Sequence, residues 1–313
     1  MDVEFLITGG AGFIGSNLVE RLGRDGKSVR VFDNFSTGRR ENLRDVKAKI
    51  DIVEGDLRNL EQVRKAVAGV RYVLHLAALP SVPRSVEDPL MTHDINVNGT
   101  LNLLVAAREA RCQRVVFSSS SAVYGDTPTL PKREDMAPLP VSPYGAHKIT
   151  GEYYCRLFWQ LYGLETVSLR YFNVFGPRQD PQSEYAAVIP KFITSILAGR
   201  SPTIFGDGTQ TRDFSHVDNV VEANLAACAA SKDALGESFN IACGERISLL
   251  QLVDTINKIA DKKVRPEFSP ARPGDILHSQ ADVAKARQLL RWTPQVSFRE
   301  GIEKTIAWYR LQL

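Results

Sequence analysis

Residues 5–15 read FLITGGAGFIG: an apolar, strand-forming run that breaks into Gly9, Gly12 and Gly15 at three-residue spacing. Helix-forming residues follow, so the glycines stand where a strand turns into a helix. In that place each has a separate task. The first permits a sharp turn, the second lets backbone approach a pyrophosphate, and the third lets helix and strand pack closely. The helix start then offers N–H groups and a partial positive charge to phosphates.

Further apolar runs alternate with helical patterns through the first half. The expected strands are EFLIT, SVRVF, IDIVEG, RYVLHLA, RVVFSSS and TVSLRYF, with helices over 13–24, 59–67, 92–110 and 143–162. Strand–helix alternation with near-continuous β-branched strands predicts an α/β fold, a doubly wound, mostly parallel (Rossmann) sheet. The second half carries more prolines and short strands such as PTIFG and ESFNIA, with capping-box starts SLLQ at Ser248 and SFRE at Ser297. This predicts a smaller mixed α/β substrate-binding domain over the sheet ends. The expected partition is residues 1–172 plus roughly 212–243 for the dinucleotide domain, and roughly 173–211 plus 244–313 for the other. A ligand cleft is expected between them, at the carboxyl ends of the strands.

Composition narrows the class. The 313 residues are 43% hydrophobic, enough for a large core, and the formal charge of +3 comes from interspersed signs rather than a basic stripe. Nucleic acid is therefore not an expected partner. Cys112, Cys155, Cys228 and Cys243 stand far apart without histidines at ligand spacing, so buried thiols in a reducing cytosol are expected, and no metal site. MDVEFLITGG lacks the cationic start of a signal peptide, and no apolar run is long enough to span a bilayer. A cytoplasmic protein with no membrane partner is the expectation.

Two acids support the dinucleotide reading. Asp33 ends the second strand, VRVFDN, where a carboxylate accepts both hydroxyls of an adenosine ribose and repels a 2′-phosphate, favouring NAD over NADP. Arg39 and Arg40 follow closely and pull the other way. Asp56, in GDL after the third strand, stands within expected reach of the adenine amino group.

The chemistry is expected in SPYGAHK, residues 142–148. Ser142 reads as an N-cap and Pro143 as the first helical residue, so Tyr144 and Lys148 share one helix face. Gly163 is placed to end that helix. Alone, such a pair is an ordinary surface pair. Here the fifth strand ends in FSSSSAVYG, which brings hydroxyls to the same sheet edge. A phenol starts near pKa 10. Lys148 and a positive nicotinamide ring are expected to lower it by about three pH units, roughly 4 kcal/mol, making Tyr144 a general base.

Together GxxGxxG, the serine run before VYG, and YxxxK resemble the extended short-chain dehydrogenase/reductases that act on nucleotide sugars. The resemblance spans essentially the whole chain, through LHLAA at 74–78, NVNGT at 96–100, LRYFNVFGPRQ at 169–179, RDFSHVDN at 212–219 and RPGD at 272–275. It is nearest to the UDP-hexose 4-epimerases, especially those accepting N-acetylhexosamines. The resemblance implies Ser120, Tyr144 and Lys148 as catalytic residues and NAD as a cofactor regenerated each turnover. It implies a cofactor site of Gly9, Gly12, Phe13, Ile14, Gly15, Asp33, Asn34, Ser36, Thr37, Gly38, Asp56, Leu57, Leu76, Ala77, Ala78, Tyr144, Lys148 and Tyr171. For the UDP-sugar it implies Ser81, Ser120, Asn173, Ala187, Val188, Lys191, Thr203, Phe205, Arg212, Arg272, Asp275 and Ser279. A homodimer built on helices 92–110 and 143–162 is implied as well.

Relatives on the same fold are told apart by a few positions. Dehydratases carry Asp-Glu before VYG, where this chain has Ser121 and Ala122, neither able to protonate a leaving hydroxyl. Ala122 also counts against UDP-glucuronate decarboxylation. Ser279 occupies the position that borders the sugar's 2-substituent, and a small residue there is expected to admit an acetamido group. Pro80 replaces a lysine found in some plain-hexose enzymes, so Tyr144 leans more heavily on Lys148. UDP-glucuronate epimerisation stays open, with Ser81, Arg84 and Lys191 as unassigned partners for a carboxylate. A non-catalytic NAD sensor is the alternative of another class; such proteins lose the Tyr/Lys pair that this chain keeps.

Overall fold

The computed structural model describes residues 3–44, 46, 49–181, 187–271 and 277–312. The six expected strands form as β1 (Val3–Thr8), β2 (Val29–Asp33), β3 (Ile50–Glu54), β4 (Val70–His75), β5 (Arg114–Ser120) and β6 (Glu165–Tyr171). They lie in one sheet with the later strand Ser238–Ile241, in the order 3-2-1-4-5-6 and then 238–241, all parallel. The order reverses between β1 and β4. Crossover helices leave on opposite faces there, which opens a crevice at the strands' carboxyl ends.

The helices follow their sequence signals closely. α1 (Phe13–Arg24) has the expected limits, and α2 (Leu60–Val67) starts one residue late because Asn59 caps it from outside by accepting Gln62 N–H. The expected 92–110 helix is preceded by α3 (Val82–Glu87) and begins earlier, as α4 (Pro89–His93), a wide π turn at Asp94–Asn98, and α5 (Gly99–Glu109). Asp88 caps that start by accepting Met91 N–H at 3.0 Å. α6 spans Pro143–Tyr162, with Ser142 accepting Gly145 N–H and Gly163 left-handed at φ +70°.

The β1–α1 turn needs its glycines. Gly9 has φ +69°, and a Cβ there would lie 2.8 Å from Ala77 Cα. A Cβ on Gly15 would sit 2.2 Å from the Gly9 carbonyl oxygen, so helix and turn touch through bare backbone. Beneath them the buried His75 ring bridges Thr8 Oγ1 (2.7 Å) and Thr100 Oγ1 (2.9 Å), tying β1 and β4 to α5. Burial drives its pKa down to about 3, so the ring is neutral.

Apolar clusters cover both faces of the sheet, one around Leu18, Val31, Leu169 and Val220, the other around Leu6, Val73, Leu103 and Phe117. A third cluster, built from Phe175, Phe192, Ile204, Leu252, Phe298 and Ile302, takes no residue from β1–β6. Residues Ala281–Trp292 pack into the first cluster rather than the third, so the chain expected to form the smaller unit also contributes to the sheet's own core. Asp213, fully buried, stitches the two regions by accepting N–H groups of Cys243, Gly244 and Ala281 at 2.9–3.0 Å. Cys112, Cys155 and Cys228 are buried as expected, while Cys243 is partly exposed. Among the described residues no helix is long and apolar enough to cross a membrane, and no His, Cys, Asp and Glu group could hold a metal.

Candidate active site

One cleft of about 1850 Å³ opens at the carboxyl edge of the sheet. Every residue expected to hold the dinucleotide lines it, as do Ser81, Ser120, Asn173, Ala187, Lys191, Thr203 and Phe205 from the expected sugar side. Val188, Arg212 and Ser279 do not line it. Arg212 instead donates to the Thr211 and Leu277 carbonyls (3.0 and 3.2 Å). Ser279 stands one layer back, its Oγ accepting from the amide of the lining residue Asn173 at 3.3 Å. Arg272 and Asp275 lie outside the described residues.

At the nucleotide end the chain fits a dinucleotide. No side chain caps α1, so its first N–H groups are free of a capping partner where the helix meets the cleft. A Cβ on Gly12 would meet only the Gly9 carbonyl, at 3.2 Å, which leaves a cradle for phosphate oxygens. Asp33 accepts Ala11 N–H and Phe35 N–H, both at 2.9 Å, which leaves each carboxylate oxygen a further lone pair for a ribose hydroxyl. Asp56 is held by the Arg58 guanidinium, with Asn34 adding a bond at 3.2 Å, and its pKa falls to about 2. The two arginines that weakened the NAD reading are both engaged by acids. Arg39 pairs with Asp180 and Arg40 with Glu54, each at 2.5 Å, and Arg40 also lies over the Phe35 ring. These pairs partly neutralise both arginines and so weaken their pull on a 2′-phosphate.

At the chemical end, three consecutive serines of β5 have three different partners. The Ser118 carbonyl accepts from Lys148 Nζ at 2.6 Å. Ser119 Oγ donates to Glu152 Oε1 at 2.5 Å. Ser120 stands beside the Tyr144 phenol and favours its ionised form, and its Oγ accepts Ala122 N–H at 3.2 Å. Strand alternation explains the split, since Ser119 faces away from Ser118 and Ser120. It also sets Ser119 apart from the phenol, and of the two serines on the other face Ser120 is the one at the end of the strand. Tyr144 is held from behind as well, its N–H donating to the buried Ser85 Oγ at 3.1 Å.

In the chain alone, burial dominates the electrostatics of the pair. Lys148 is 4% exposed, and burial lowers its pKa to about 8 against the raising influence of Glu152. Burial pushes the Tyr144 phenol up to about 12, opposed by the neighbouring Ser120 side chain. The ammonium sits 5.8 Å from the Tyr144 ring centre, turned onto the Ser118 carbonyl. In the chain alone the lysine does not acidify the phenol; desolvation wins.

The NAD-dependent epimerase/dehydratase family model matches residues 5–242. The chain belongs to that family. It is 43% identical to a UDP-glucose 4-epimerase of Mycolicibacterium smegmatis, over 97% of this chain and 98% of that protein. Its fold matches a UDP-N-acetylglucosamine 4-epimerase of Methanobrevibacter ruminantium, solved with UDP-N-acetylmuramic acid, with a TM-score of 0.94 at 40% identity, covering 100% of this chain and 99% of that one. A Thermus thermophilus UDP-glucose 4-epimerase solved with NAD matches with a TM-score of 0.88 at 37% identity, covering 99% and 100%.

For a member of an epimerase/dehydratase family, the acids near the phenol decide the chemistry. Among the described residues lining the cleft, the only carboxylates are Asp33, Asp56 and Asp180. All three are engaged at the nucleotide end, and Ser121 lines the wall where dehydratases need an acid. Several supporting residues escaped the sequence reading. Glu152 follows Tyr144 and Lys148 at the same four-residue helical spacing, which was a legible signal; Ser118, Arg178, Asp180 and Asp213 act through backbone or long-range contacts that carry none.

Proposed function

We propose that this chain epimerises UDP-hexoses at C4 with NAD, interconverting UDP-Glc with UDP-Gal and UDP-GlcNAc with UDP-GalNAc through a transient 4-keto sugar. The observation that carries the reading is that Ser120, Tyr144 and Lys148, one helical turn beyond Tyr144, line the cleft that also holds the Gly9–Gly15 turn. When bound, oxidised NAD takes up and returns the C4 hydrogen with its electron pair and brings a positive ring charge to the site. The chain's own residues do the rest. Tyr144 Oη accepts the proton of the sugar's 4-hydroxyl, Ser120 orients that hydroxyl, and Lys148 favours the ionised phenol. The turn before α1, Asp33 and Asp56 hold the dinucleotide; Asn173, Lys191, Thr203 and Phe205 face the nucleotide sugar.

Residues 1–172 with roughly 212–243 serve the cofactor and the remainder the sugar nucleotide, in a cytosolic homodimer. The oligomer reading is supported by an apolar stripe on α6, where Tyr153, Leu157 and Leu161 are 55%, 44% and 67% exposed at four-residue spacing. The N-acetyl tolerance rests on the small side chain of Ser279, which stands behind the cleft wall against the lining residue Asn173.

Tyr144→Phe removes the proton acceptor and is expected to lower kcat on UDP-Gal by about 10²–10⁴ with KM little changed, in a glucose-release assay; full activity refutes the reading. Ser279→Tyr is expected to lose UDP-GlcNAc turnover at least tenfold more than UDP-Glc turnover. Equal loss on both, or a wild type that prefers UDP-glucuronate, contradicts the assigned substrate range. Sedimentation is expected to give a dimer that Tyr153→Glu with Leu157→Glu converts to monomer; an unchanged mass would move the interface elsewhere.

A further inference from the structure

Behind the tyrosine–lysine pair lies a closed polar network that the proposed reaction does not use. Glu152 and Arg170 are 5% and 4% exposed, paired at 2.7 Å. Glu152 also accepts from Ser119 Oγ and from Ser238 Oγ (2.8 Å). Arg170 donates onward to the Tyr124 phenol at 2.7 Å, which donates to Asn240 Oδ1 at 2.7 Å. One ion pair thus joins α6, β5, β6, the turn after β5 and the last strand of the sheet. Buried ion pairs contribute little net stability compared with apolar packing, so a purely energetic role is a weak explanation for this one.

Its position suggests another. Glu152 lies one helical turn beyond Lys148, on the face that carries Tyr144. The groups facing Lys148 are Tyr144, His147, Glu152 and Cys155 on α6, the Ser118 carbonyl and Phe117 ring on β5, and His75 on β4. Burial lowers both histidines and raises the thiol and the phenol, which leaves these groups neutral at pH 7. Glu152 is the one carboxylate in the set. We propose that Glu152 is a positioning residue for the tyrosine–lysine pair: it locks the serine end of β5 against α6 and keeps Lys148 an ammonium at the pH of turnover. Arg170, paired with the carboxylate at 2.7 Å, holds it in place. This rests on the proposed roles of Tyr144 and Lys148.

The test is the pH profile of kcat for the NAD-loaded enzyme. Activity needs Lys148 protonated, so it falls as pH rises through the lysine's pKa. Glu152→Gln keeps the size and removes the charge, which lowers that pKa. The alkaline limb is expected to move down by at least about one pH unit, with KM for UDP-Gal within twofold and Glu152→Asp moving part of the way back. A structural role alone would lower kcat at all pH values and leave the limb in place, and that result overturns the proposal. Should Glu152→Gln fail to fold, Glu152→Gln with Arg170→Met removes both charges and is expected to move the limb down by a smaller step, because the lost arginine charge opposes the lost carboxylate; an unmoved limb is again contrary. Tyr144→Phe is assayed alongside. If it is inactive while the Glu152 profiles stay put, only this proposal falls; if it is fully active, the underlying reading falls with it.

Discussion

Burial of the Tyr144 phenol beside a lysine is the constraint around which the rest of the structure is arranged. Taken from water, the phenol is a weaker acid, near 12 rather than 10. Bringing it to neutrality calls for about 7 kcal/mol of preferential stabilisation of the phenolate, at roughly 1.4 kcal/mol per pH unit. At an effective permittivity near 20 a unit charge about 4 Å away supplies about 4 kcal/mol, and Lys148, 5.8 Å from the ring centre, supplies about 3 kcal/mol. One cation is too little, and two together come to about what is needed. The chain provides one, Lys148, so the phenol is primed only when the second arrives with the cofactor. Such a site stays a poor base until it is loaded, which ties proton removal to the presence of the hydride acceptor.

The scaffold serves this by controlling where β5 ends. A parallel sheet brings the carboxyl ends of β1, β4 and β5 to one edge, and the reversal between β1 and β4 leaves that edge open. The Ser118–Ser120 run then meets α6 residue by residue, through a carbonyl to Lys148, a hydroxyl to Glu152 and Ser120 placed beside Tyr144. Shifting α6 by one residue would break all three. Its register is set at the start by Ser142 and Pro143, and by Gly145, where a Cβ would lie 2.7 Å from the Ala122 carbonyl oxygen.

Much of this was legible in the chain. The glycine turn, the six apolar strands and the limits of α1 and α6 rest on local signals, namely periodicity, caps and φ requirements, and local signals survive folding. The cofactor-side residues were legible because they cluster just after strands. What failed was non-local. Ala281–Trp292 joins the sheet's core, where Trp292 bonds the Asn219 carbonyl 73 positions back, which no periodicity encodes. The pairing of Arg39 with Asp180 spans 141 residues, and only in three dimensions does it weaken an objection to NAD. The burial that raises the Tyr144 phenol in the chain alone has no sequence signal either, because a four-residue spacing reports proximity to Lys148 and not the loss of water.

The interplay of burial and charge at Tyr144 is open to a direct spectroscopic titration. Ultraviolet difference absorbance of phenolate formation, with Tyr144→Phe as the blank, gives the pKa of this one residue in protein stripped of NAD and in protein loaded with it. The stripped chain should titrate Tyr144 well above neutrality, and NAD should carry it down by several pH units towards 7. An equal pKa in both forms, or an already acidic phenol in the stripped chain, would contradict the physical account given for this site.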